Sequence, residues 1–555
     1  MAQPTDTEQT TRPCVSIVSL HLKIGGIERA VCSLANLLCA DYDVEILSIY
    51  KLSDEPAFAL DERVRVVYLS EGLAPNKQEF LDALHAHRPF SILREGLRAV
   101  GVLWKRRRCI KQAARRASGQ IIISTRDLFH RALAKAHPRR MLIAWEHNDL
   151  REDPRGTSRL MRSIKGFDYF VPVSPGLATF FEPQVPAPTH CVYLPLSIDK
   201  LPPERAIEHA HDPASPLQIT AVGRLEPEKA YDDLLRVFAL VYAHHAGTTL
   251  ALVGEGSQRA TLEALAQKLG IAEAVTFYGA RYGEELQRLY EESALFVSTS
   301  HRESFGQVLL EAMAHGVACL SFSSAAGPRE IIEDGVNGYL TSGRDQAILA
   351  EKIIELLESP DKRARLAYGA RATAAAYAAS AVRETWLAFC REALVELPKK
   401  TTVVFVSSAG GHFAELRALA PLYERYNSYY VSEKNASMES YAQIYGDRLF
   451  FLAYGTKERP LTYPFIFAFN CVRSLWLFWR LKPDFTISTG AHTAVPLCYL
   501  THLFRRRVIY FETYANINTR SLAGRLIAPI ADLFFVQWEE MLALYPRAIY
   551  RGWLP

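Results

Sequence analysis

Four charged side chains near the middle of the chain have the types and spacing of a site for a diphosphate. Arg224 and Lys229 follow an apolar run and lie five positions apart. Two cations on a loop between a strand and a helix, beside free backbone N–H groups, can bind a diphosphate. Glu303 and Glu311 are eight residues apart, about two helical turns, so both carboxylates can address one side of a cleft.

Small residues accompany these charges. Gly254 ends another apolar run, where a residue without a side chain permits close approach by a ligand. Ser304, Phe305 and Gly306 are expected to open the helix that carries Glu311, and so to direct its positive dipole end toward an anion. The alternative is that the two glutamates are only a solvated helix face, but the cations and glycines in the same order favour a site.

The elements that must position these residues repeat one pattern three times. Apolar runs at 15–20, 217–222 and 403–406 each lead into a loop with glycines or cations and then into helical patterns, of which 28–38 and 415–422 are examples. Further short apolar runs follow, at 44–49, 121–124, 141–144, 250–253, 275–278, 295–298, 485–488 and 508–511. This alternation predicts parallel sheets, and ligands bind such sheets at the carboxyl ends of the strands. We therefore expect an α/β chain of three Rossmann-like domains, at 1–200, 201–397 and 398–555.

Composition excludes several classes of protein. The net charge of +4 over 555 residues does not suggest a nucleic-acid partner. The nine cysteines are scattered without a C-x-x-C pair, which predicts neither a metal site nor a disulfide framework. Residues 1–12 are polar, and no uninterrupted apolar run reaches the roughly 18 residues that span a bilayer. These features predict a cytoplasmic protein.

Residues 12–395 resemble the family 4 retaining glycosyltransferases, whose two-domain architecture is the GT-B fold. The resemblance rests on five motifs, which are G-G-I-E-R at 25–29, V-S-P-G at 173–176, Gly223-Arg224 with Lys229, the segment from Glu303 to Glu311, and I-I-E-D-G-V-N-G-Y at 331–339. It implies that Arg224 and Lys229 hold the diphosphate of a nucleotide-sugar donor, with UDP as the expected nucleotide. Glu311 would accept hydrogen bonds from the ribose, and Glu303, with the backbone around Ser304–Gly306, would contact the sugar.

The same resemblance assigns roles in the first domain. Gly25 and Gly26 would let their loop approach the phosphates. His147, which follows the apolar run at 141–144, would contact the donor sugar near the reacting carbon, with Glu146 and Asp149 as alternatives and a purely structural histidine as the competing interpretation. No Asp-x-Asp motif stands where a metal would be needed, and Arg224 with Lys229 can stabilise the departing nucleoside diphosphate. The predicted reaction therefore needs no metal and no cofactor.

Residues 400–555 resemble the membrane-associated acceptor half of two-component N-acetylglucosaminyltransferases, which act in capsular, exopolysaccharide and dolichol-linked glycan synthesis. The segment carries S-S-A-G-G-H-F-A-E at 407–415. By analogy with a related single-chain enzyme, His412 would be a base or an acceptor contact, with Gly410 and Gly411 making room and Glu415 in the same loop. A histidine without chemistry at the start of a helix is the alternative.

Two segments suggest a membrane surface. Residues 93–117 place apolar side chains at helical spacing before a run of cations, and 463–481 is aromatic but interrupted by Arg473 and Arg480. Both patterns are typical of helices that lie in the inner-leaflet interface, although a solvated or a buried helix explains them as well. We expect peripheral association with the cytoplasmic face of the membrane and a polyprenyl-diphosphate-linked acceptor.

Three functional interpretations remain. The first is a glycosyltransferase with a fused half-enzyme that needs a small donor-binding subunit for a second transfer. The second is a single transferase whose third domain only recruits membrane or partners. The third, a phosphorolytic enzyme or an epimerase on the same fold, lacks a distinguishing feature in this sequence.

Overall fold

The computed structural model describes residues 12–71, 89–198, 201–202, 217–455, 461–490 and 492–552. The chain divides into two compact units, 1–393 and 394–555. The first unit contains two parallel sheets, and the second unit contains one. All three are built from short Val-, Ile- and Leu-rich strands that are buried on both faces, as parallel strands are.

The first sheet has the strand order β3-β2-β1-β4-β5-β6-β7, so the order reverses between β1 and β4. Ligands of doubly wound sheets bind at such a reversal. Its strands are β1 Cys14–Ser19, β2 Asp43–Ser48, β3 Arg65–Tyr68, β4 Ile121–Ser124, β5 Met141–Glu146, β6 Tyr169–Pro172 and β7 His190–Cys191. Its helices are α1 Gly26–Leu38, α2 Pro89–Arg116, α3 Asp127–Ala136, α4 Pro154–Ser163 and α5 Pro175–Phe181.

The second sheet has the order β10-β9-β8-β11-β12-β13 and reverses between β8 and β11. Its strands are β8 Gln218–Val222, β9 Thr249–Val253, β10 Val275–Gly279, β11 Ser293–Ser298, β12 Ala318–Phe322 and β13 Gly338–Thr341. The helices after β8 are α6 Tyr231–His244, α7 Arg259–Lys268, α8 Gly283–Glu291, α9 Gln307–Ala314, α10 Ala326–Ile331, α11 Gln346–Leu357, α12 Pro360–Ala376 and α13 Ala379–Glu396.

Helix α13 returns to the first sheet of its unit. The Trp386 ring packs edge-on against Trp145 at 5.5 Å, and its indole N–H donates to the carbonyl oxygen of Pro195 at 2.9 Å. Phe389 contacts Tyr169 in the same way at 4.9 Å. These buried aromatic contacts join the two halves of the first unit.

The sheet of the second unit has the order β16-β15-β14-β17-β18-β19-β20 and reverses between β14 and β17. Its strands are β14 Thr402–Val406, β15 Asn427–Glu433, β16 Leu449–Leu452, β17 Phe485–Ser488, β18 Arg507–Phe511, β19 Leu533–Val536 and β20 Ile549–Tyr550. Its helices are α14 Gly411–Arg417, α15 Pro421–Arg425, α16 Glu439–Tyr445, α17 Tyr463–Leu481, α18 Val495–Leu503 and α19 Leu522–Ile527.

The predicted fold class is confirmed, and each apolar run predicted as a strand forms one with ends within two residues of those expected. The single helix predicted at 415–422 is wrong. Helix α14 begins at Gly411 and ends at Arg417, and α15 begins at Pro421. Proline has no backbone N–H and its ring clashes with the carbonyl four residues earlier, so a continuous helix cannot pass Pro421.

Candidate functional site

Lys229 and Glu303 form an ion pair at the carboxyl ends of β8 and β11. Lys229 ends a short 3₁₀ helix, Pro227–Lys229, and its Nζ lies 2.5 Å from Oε2 of Glu303. The two side chains are 16% and 19% exposed. The structure therefore brings these two predicted residues together in a mostly buried position.

Arg224 is placed differently. Its guanidinium is 70% exposed and donates to Oε1 of Glu228 at 2.8 Å. Lys229 is thus the more buried of the two predicted cations. Because charges interact more strongly in a region of low dielectric constant, Lys229 can contribute more to anion binding than Arg224.

Gly254 has a positive φ of 146°, and a Cβ there would collide with the carbonyl oxygen of Gly223. The backbone N–H of Gly223 in turn donates to the carbonyl of Val253 at 2.9 Å. The neighbour that requires a glycine here is thus the backbone of the Arg224 loop. No ligand is needed to explain the lack of a side chain.

Helix α9 begins at Gln307, directly after the predicted opening residues. Gly306 has a φ of 98°, which a residue with a side chain rarely adopts, and Phe305 is buried beneath the loop. A helix start leaves N–H groups without intrahelical partners and carries a partial positive charge. This end of α9 therefore suits an anion, as the sequence predicts.

Glu311 lies on the second turn of α9 and is contacted from two directions. Nη1 of Arg29, on α1 of the first sheet, lies 2.7 Å from Oε1 of Glu311. The hydroxyl of Tyr290 donates to Oε2 at 3.1 Å. Burial and the charge of Glu311 raise the pKa of Tyr290 well above its usual value, so this donor stays protonated. Glu311 therefore links the two halves of the first unit.

The loop with Gly25 and Gly26 meets the start of α9. A Cβ on Gly26 would lie 3.8 Å from Oε1 of Gln307, so the first turns of α1 and α9 are neighbours. A Cβ on Gly25 would collide with the carboxylate of Glu28. Gly25 thus makes room for a side chain of its own helix.

His147 follows β5 and is largely buried. Its ring packs on Trp145 at 4.5 Å, and its Nε2 has no hydrogen-bond partner within the part of the chain that the structure describes. Burial, with a smaller contribution from the charge of Arg126, lowers the pKa of His147 to about 3. The ring is therefore neutral at physiological pH, which suits a contact with an uncharged hydroxyl.

Glu146 and Asp149, the carboxylates near His147, have pKa values that are shifted in opposite directions. Burial raises the pKa of Glu146 to about 7, although the backbone N–H and the side-chain amide of Asn148 both donate to Oε1 at 2.7 Å. Burial also favours the neutral form of Asp149, but hydrogen bonds from Arg151 outweigh it and lower the pKa. Only Glu146 can change its charge near pH 7.

Sequence analysis missed two further interactions in this unit. Glu28 is buried, and Arg126 donates to its Oε1 at 3.0 Å, beside the reversal between β1 and β4. Glu330 accepts hydrogen bonds from the Ser174 hydroxyl at 2.8 Å and the Gly176 N–H at 3.1 Å. The V-S-P-G motif at 173–176 contains Ser174 and Gly176, so it was a signal for the second interaction. Their partner, Glu330, lies more than 150 residues further along the chain and could not be inferred from the motif.

His412 of the second unit is fixed by the loop after β17. Its Nδ1 lies 3.0 Å from the carbonyl oxygen of Thr489, and only a protonated Nδ1 can donate to a carbonyl. Among the described residues, Nε2 has no hydrogen-bond partner. Burial lowers the pKa of His412, but Glu415, with its Oε2 3.7 Å from Nδ1, together with the Thr489 carbonyl and the charge of Glu512 outweighs burial, and the pKa is raised.

The glycines around His412 have distinct roles. Gly490, with a φ of 129°, makes room for the imidazole, since a Cβ there would lie 2.8 Å from the ring. Gly410 has a φ of 84°, but a Cβ on Gly410 or Gly411 would meet nothing within 4 Å. Gly490 thus makes room for the His412 ring itself, while the space beside Gly410 and Gly411 is open, and their expected role toward an acceptor stays a prediction. Glu415, also predicted, anchors the loop by accepting from the Thr513 hydroxyl at 2.9 Å.

Helix α17 exposes one aromatic face. Its exposed side chains recur at helical spacing, and its buried face includes Asn470, whose amide exchanges two hydrogen bonds with the backbone of Ala453 at 2.9 Å. The exposed large apolar residues of this helix are Phe465, Phe469, Val472, Leu475, Trp476 and Trp479. The described part of the chain holds neither a helix long and apolar enough to cross a membrane nor a group of side chains arranged to bind a metal ion.

Helix α2 has a similar exposed face in the first unit. Exposed apolar residues on its first four turns precede exposed cations, while its last turns bury Cys109, Ile110 and Ala113 against the unit. The exposed apolar residues are Phe90, Leu93, Leu97, Val100, Leu103 and Trp104.

Two family models match this chain. Residues 205–373 match glycosyl transferases group 1, and residues 402–554 match the oligosaccharide biosynthesis protein Alg14-like family. The structure of sucrose-phosphate synthase from Thermosynechococcus elongatus superimposes with a TM-score of 0.56 at 18% identity, covering 69% of this chain and 99% of that one. The first unit thus has the GT-B fold. The chain joins a glycosyl transferases group 1 domain to an Alg14-like domain.

Curated relatives match parts of the chain. An exopolysaccharide phosphotransferase of Streptomyces coelicolor is 27% identical over 383 residues, which are 66% of this chain and 39% of the relative. A D-inositol 3-phosphate glycosyltransferase of Frankia alni is 38% identical over 182 residues, 31% of this chain and 44% of the relative. The chain therefore spans less than half the length of these relatives.

Proposed function

We propose that the first unit transfers a sugar from a nucleotide-sugar donor, with retention and without a metal ion, to a polyprenyl-diphosphate-linked acceptor. UDP is the expected nucleotide. The observation that carries the proposal is the convergence of Lys229, Glu303 and Glu311 on the start of α9, where the loop of Gly25 and Gly26 also arrives. The relative from Frankia alni that is named as a glycosyltransferase supports sugar transfer by the group 1 domain.

The geometry supports separate roles for these residues in donor binding. A phosphate at the start of α9 lies at the positive end of that helix and can also contact Nζ of Lys229, with Arg224 adding charge at the rim. Each oxygen of a carboxylate can accept more than one hydrogen bond. Glu311 can therefore bind a ribose hydroxyl while it keeps Arg29 and Tyr290. The positive charges of Lys229 and Arg224 and the positive end of α9 stabilise the departing diphosphate.

His147 and Glu303 are proposed to contact the donor sugar. Nε2 of His147 is buried and its pKa is low, so a neutral ring can exchange a hydrogen bond with a sugar hydroxyl. Glu303 is held by Lys229, which orients its carboxylate. An oriented donor facing its acceptor across a cleft reacts much faster than two free molecules.

Both units are proposed to associate with the inner leaflet of the membrane. Each presents an exposed apolar helix face next to exposed cations, on α2 in the first unit and on α17 in the second. In the second unit, Arg505, Arg506 and Arg507 line a surface hollow with His502 and Asp532. Cations near an anionic surface contribute about 1 kcal/mol each to binding.

The second unit is proposed to be the acceptor half of a second transferase, which needs a small donor-binding subunit. The fixed orientation of His412, with Nδ1 donating to Thr489 and Nε2 left to accept a proton, favours a catalytic role. A noncatalytic module that recruits membrane or partners is the alternative. It predicts that no added subunit elicits a second transfer.

A turnover screen tests the transferase proposal. The full chain is incubated with labelled nucleotide sugars and a membrane lipid extract as acceptor, in the presence of EDTA. We expect one sugar to pass to the lipid fraction with release of the nucleoside diphosphate. Failure of every nucleotide sugar to react, or a requirement for magnesium or manganese, would contradict the proposal.

A further inference from the structure

A glutamate from one half of the first unit contacts a helix start in the other half. Glu330 lies on α10, beside the second sheet, and its Oε1 accepts from the Ser174 hydroxyl at 2.8 Å and from the Gly176 N–H at 3.1 Å. Ser174 is buried and caps α5, beside the first sheet, because its hydroxyl oxygen accepts from the N–H of Leu177 at 3.3 Å. The contact therefore holds the two halves against each other at one point.

The carboxylate of Glu330 is only half satisfied by this contact. Both hydrogen bonds go to Oε1, whereas Oε2 is buried and has no hydrogen-bond partner among the residues that the structure describes. Burying a carboxylate costs free energy that hydrogen bonds to one of its oxygens only partly offset. Folding stability is therefore a weak reason for a glutamate at this position, and a role in positioning its neighbours is a stronger one.

The helix that carries Glu330 is bonded to the loop of the proposed donor site. The N–H of Gly327, also on α10, donates to the carbonyl oxygen of Glu303 at 2.8 Å. A Cβ on Gly327 would collide with the carbonyl oxygen of Phe305, so the backbones of α10 and of this loop are in direct contact. A displacement of Glu330 is therefore passed to the backbone of Glu303.

Ser174, on the other side of the contact, is connected to the strand that leads to His147. It follows β6, which pairs in parallel with β5, and the N–H of Val173 donates to the carbonyl oxygen of Glu146 at 3.2 Å. Glu146 is the last residue of β5, and His147 comes next in the chain. The hydrogen bonds to Glu330 therefore act on the segment that carries His147.

We propose that Glu330 is a positioning residue for the proposed sugar transfer. Its carboxylate holds the start of α5 against α10, and so aligns His147 of one half with Glu303 of the other. Groups held on two halves of a cleft react efficiently only when they are aligned, and a displacement of about 1 Å can cost about 100-fold in rate. The inference rests on the proposed transfer and adds a residue that acts through others.

Turnover kinetics of the full chain test the proposal. With the nucleotide sugar and lipid acceptor that the screen identifies, Glu330→Ala should lower kcat about 10- to 100-fold, because small misalignments of reacting groups have effects of this size. The KM for the nucleotide sugar should stay within about twofold, since the residues proposed to bind it are unchanged. Glu330→Gln keeps an oxygen that can accept both hydrogen bonds and should restore kcat to within about threefold of the wild type. Glu351→Ala, an exposed glutamate on α11, is the matched control.

A double-mutant cycle distinguishes this contact from two separate local effects. Because Glu330 and Ser174 act through one contact, the protein with Glu330→Ala and Ser174→Ala should be only as slow as the slower single variant. Losses that multiply, an equal loss in Glu330→Gln, or a KM that rises as much as kcat falls would overturn the proposal.

Hydrogen exchange separates this proposal from the proposed function. The backbone amide of Gly176 should exchange about tenfold faster in Glu330→Ala than in the wild type, because it loses its acceptor, and at the wild-type rate in Glu330→Gln. Unchanged exchange in Glu330→Ala overturns the proposal, whether or not the protein transfers sugar. A wild-type protein that transfers no sugar contradicts the proposed function instead, and the exchange rates still decide whether Glu330 holds the two halves together.

Discussion

Burial distinguishes the two cations that sequence spacing treats alike. Lys229 is 16% exposed and paired with Glu303, whereas Arg224 is 70% exposed. We predict that Lys229→Ala weakens UDP binding about 10- to 100-fold, because a charge-assisted hydrogen bond contributes about 1.5–3 kcal/mol, and that Arg224→Ala weakens it less. Calorimetric titration in EDTA measures both, with the exposed Arg288→Ala as control. A larger loss from Arg224→Ala would contradict this ranking.

Glu146 gives the first unit a pH-dependent stability. Burial raises its pKa from 4.5 to about 7 in the folded state. Protonation of Glu146 therefore stabilises the folded state fully below pH 4.5, and this stabilisation is lost as the pH rises through 7. We predict that, as the pH rises from 5 to 8, the free energy of unfolding of Glu146→Gln increases by about 2 kcal/mol relative to that of the wild type. Denaturant unfolding at both pH values measures this difference.

The exposed Glu152→Gln is the control for that measurement, since the side chain of Glu152 is 78% exposed. Buried His147 has its pKa lowered to about 3 and so contributes a slope of the opposite sign below about pH 6.5. It is present in both proteins, so it cancels in the comparison. An equal pH dependence in wild type and Glu146→Gln would exclude the assigned pKa.

The sequence alone could not predict which side chains of the candidate site contact one another. The types and order of Lys229, Glu303 and Glu311 predicted a donor site, and the structure places Lys229 beside Glu303. Nothing in the spacing indicated that Arg29 would meet Glu311, because the two residues lie on helices of different halves of the unit, α1 and α9. Such a contact depends on how two layers pack, and that is set by the whole core.

The exposed aromatic face is a property of α17 as an element. Phe465, Phe469, Trp476 and Trp479 are exposed, whereas Asn470 and Ser474 are buried together with Leu477, Phe478 and Leu481. We predict that Phe465→Ser with Phe469→Ser reduces binding to anionic vesicles at least about tenfold, since burying even one ring contributes about 1.5–3 kcal/mol, without lowering the melting temperature. Tyr368→Ser, an exposed aromatic of α12, is the control. Unchanged flotation of this variant with vesicles would contradict the proposal that α17 binds the membrane surface.

Elements were predictable where a strong local pattern existed. Central strands such as β4 and β11 are continuous apolar runs, and the sequence indicates them directly. Edge strands β7 and β20 have two residues each and carry no such pattern. The role of Gly490 was also missed, because its need for φ of 129° and for contact with His412 arises only in the folded sheet.

At the scale of the whole molecule, the two units should have separable activities. His412 and Glu311 belong to different units, 394–555 and 1–393. We predict that His412→Ala leaves the first transfer within about twofold and abolishes any second transfer that an added donor-binding subunit elicits. That second transfer should also decline as the pH falls through the raised pKa of His412, because a protonated ring cannot accept a proton.

Glu311 and its neighbours are proposed to form a donor site that needs no metal ion, and sugar turnover by Glu311→Ala in EDTA is the decisive measurement of that site. We predict that the folded variant loses about 10- to 1000-fold in turnover, because hydrogen bonds to a carboxylate contribute about 1.5–3 kcal/mol each. The exposed Glu284→Ala should retain wild-type turnover. Turnover by Glu311→Ala within twofold of the wild type, or a wild-type enzyme that is inactive until a divalent cation is restored, would exclude a metal-independent donor site at Glu311.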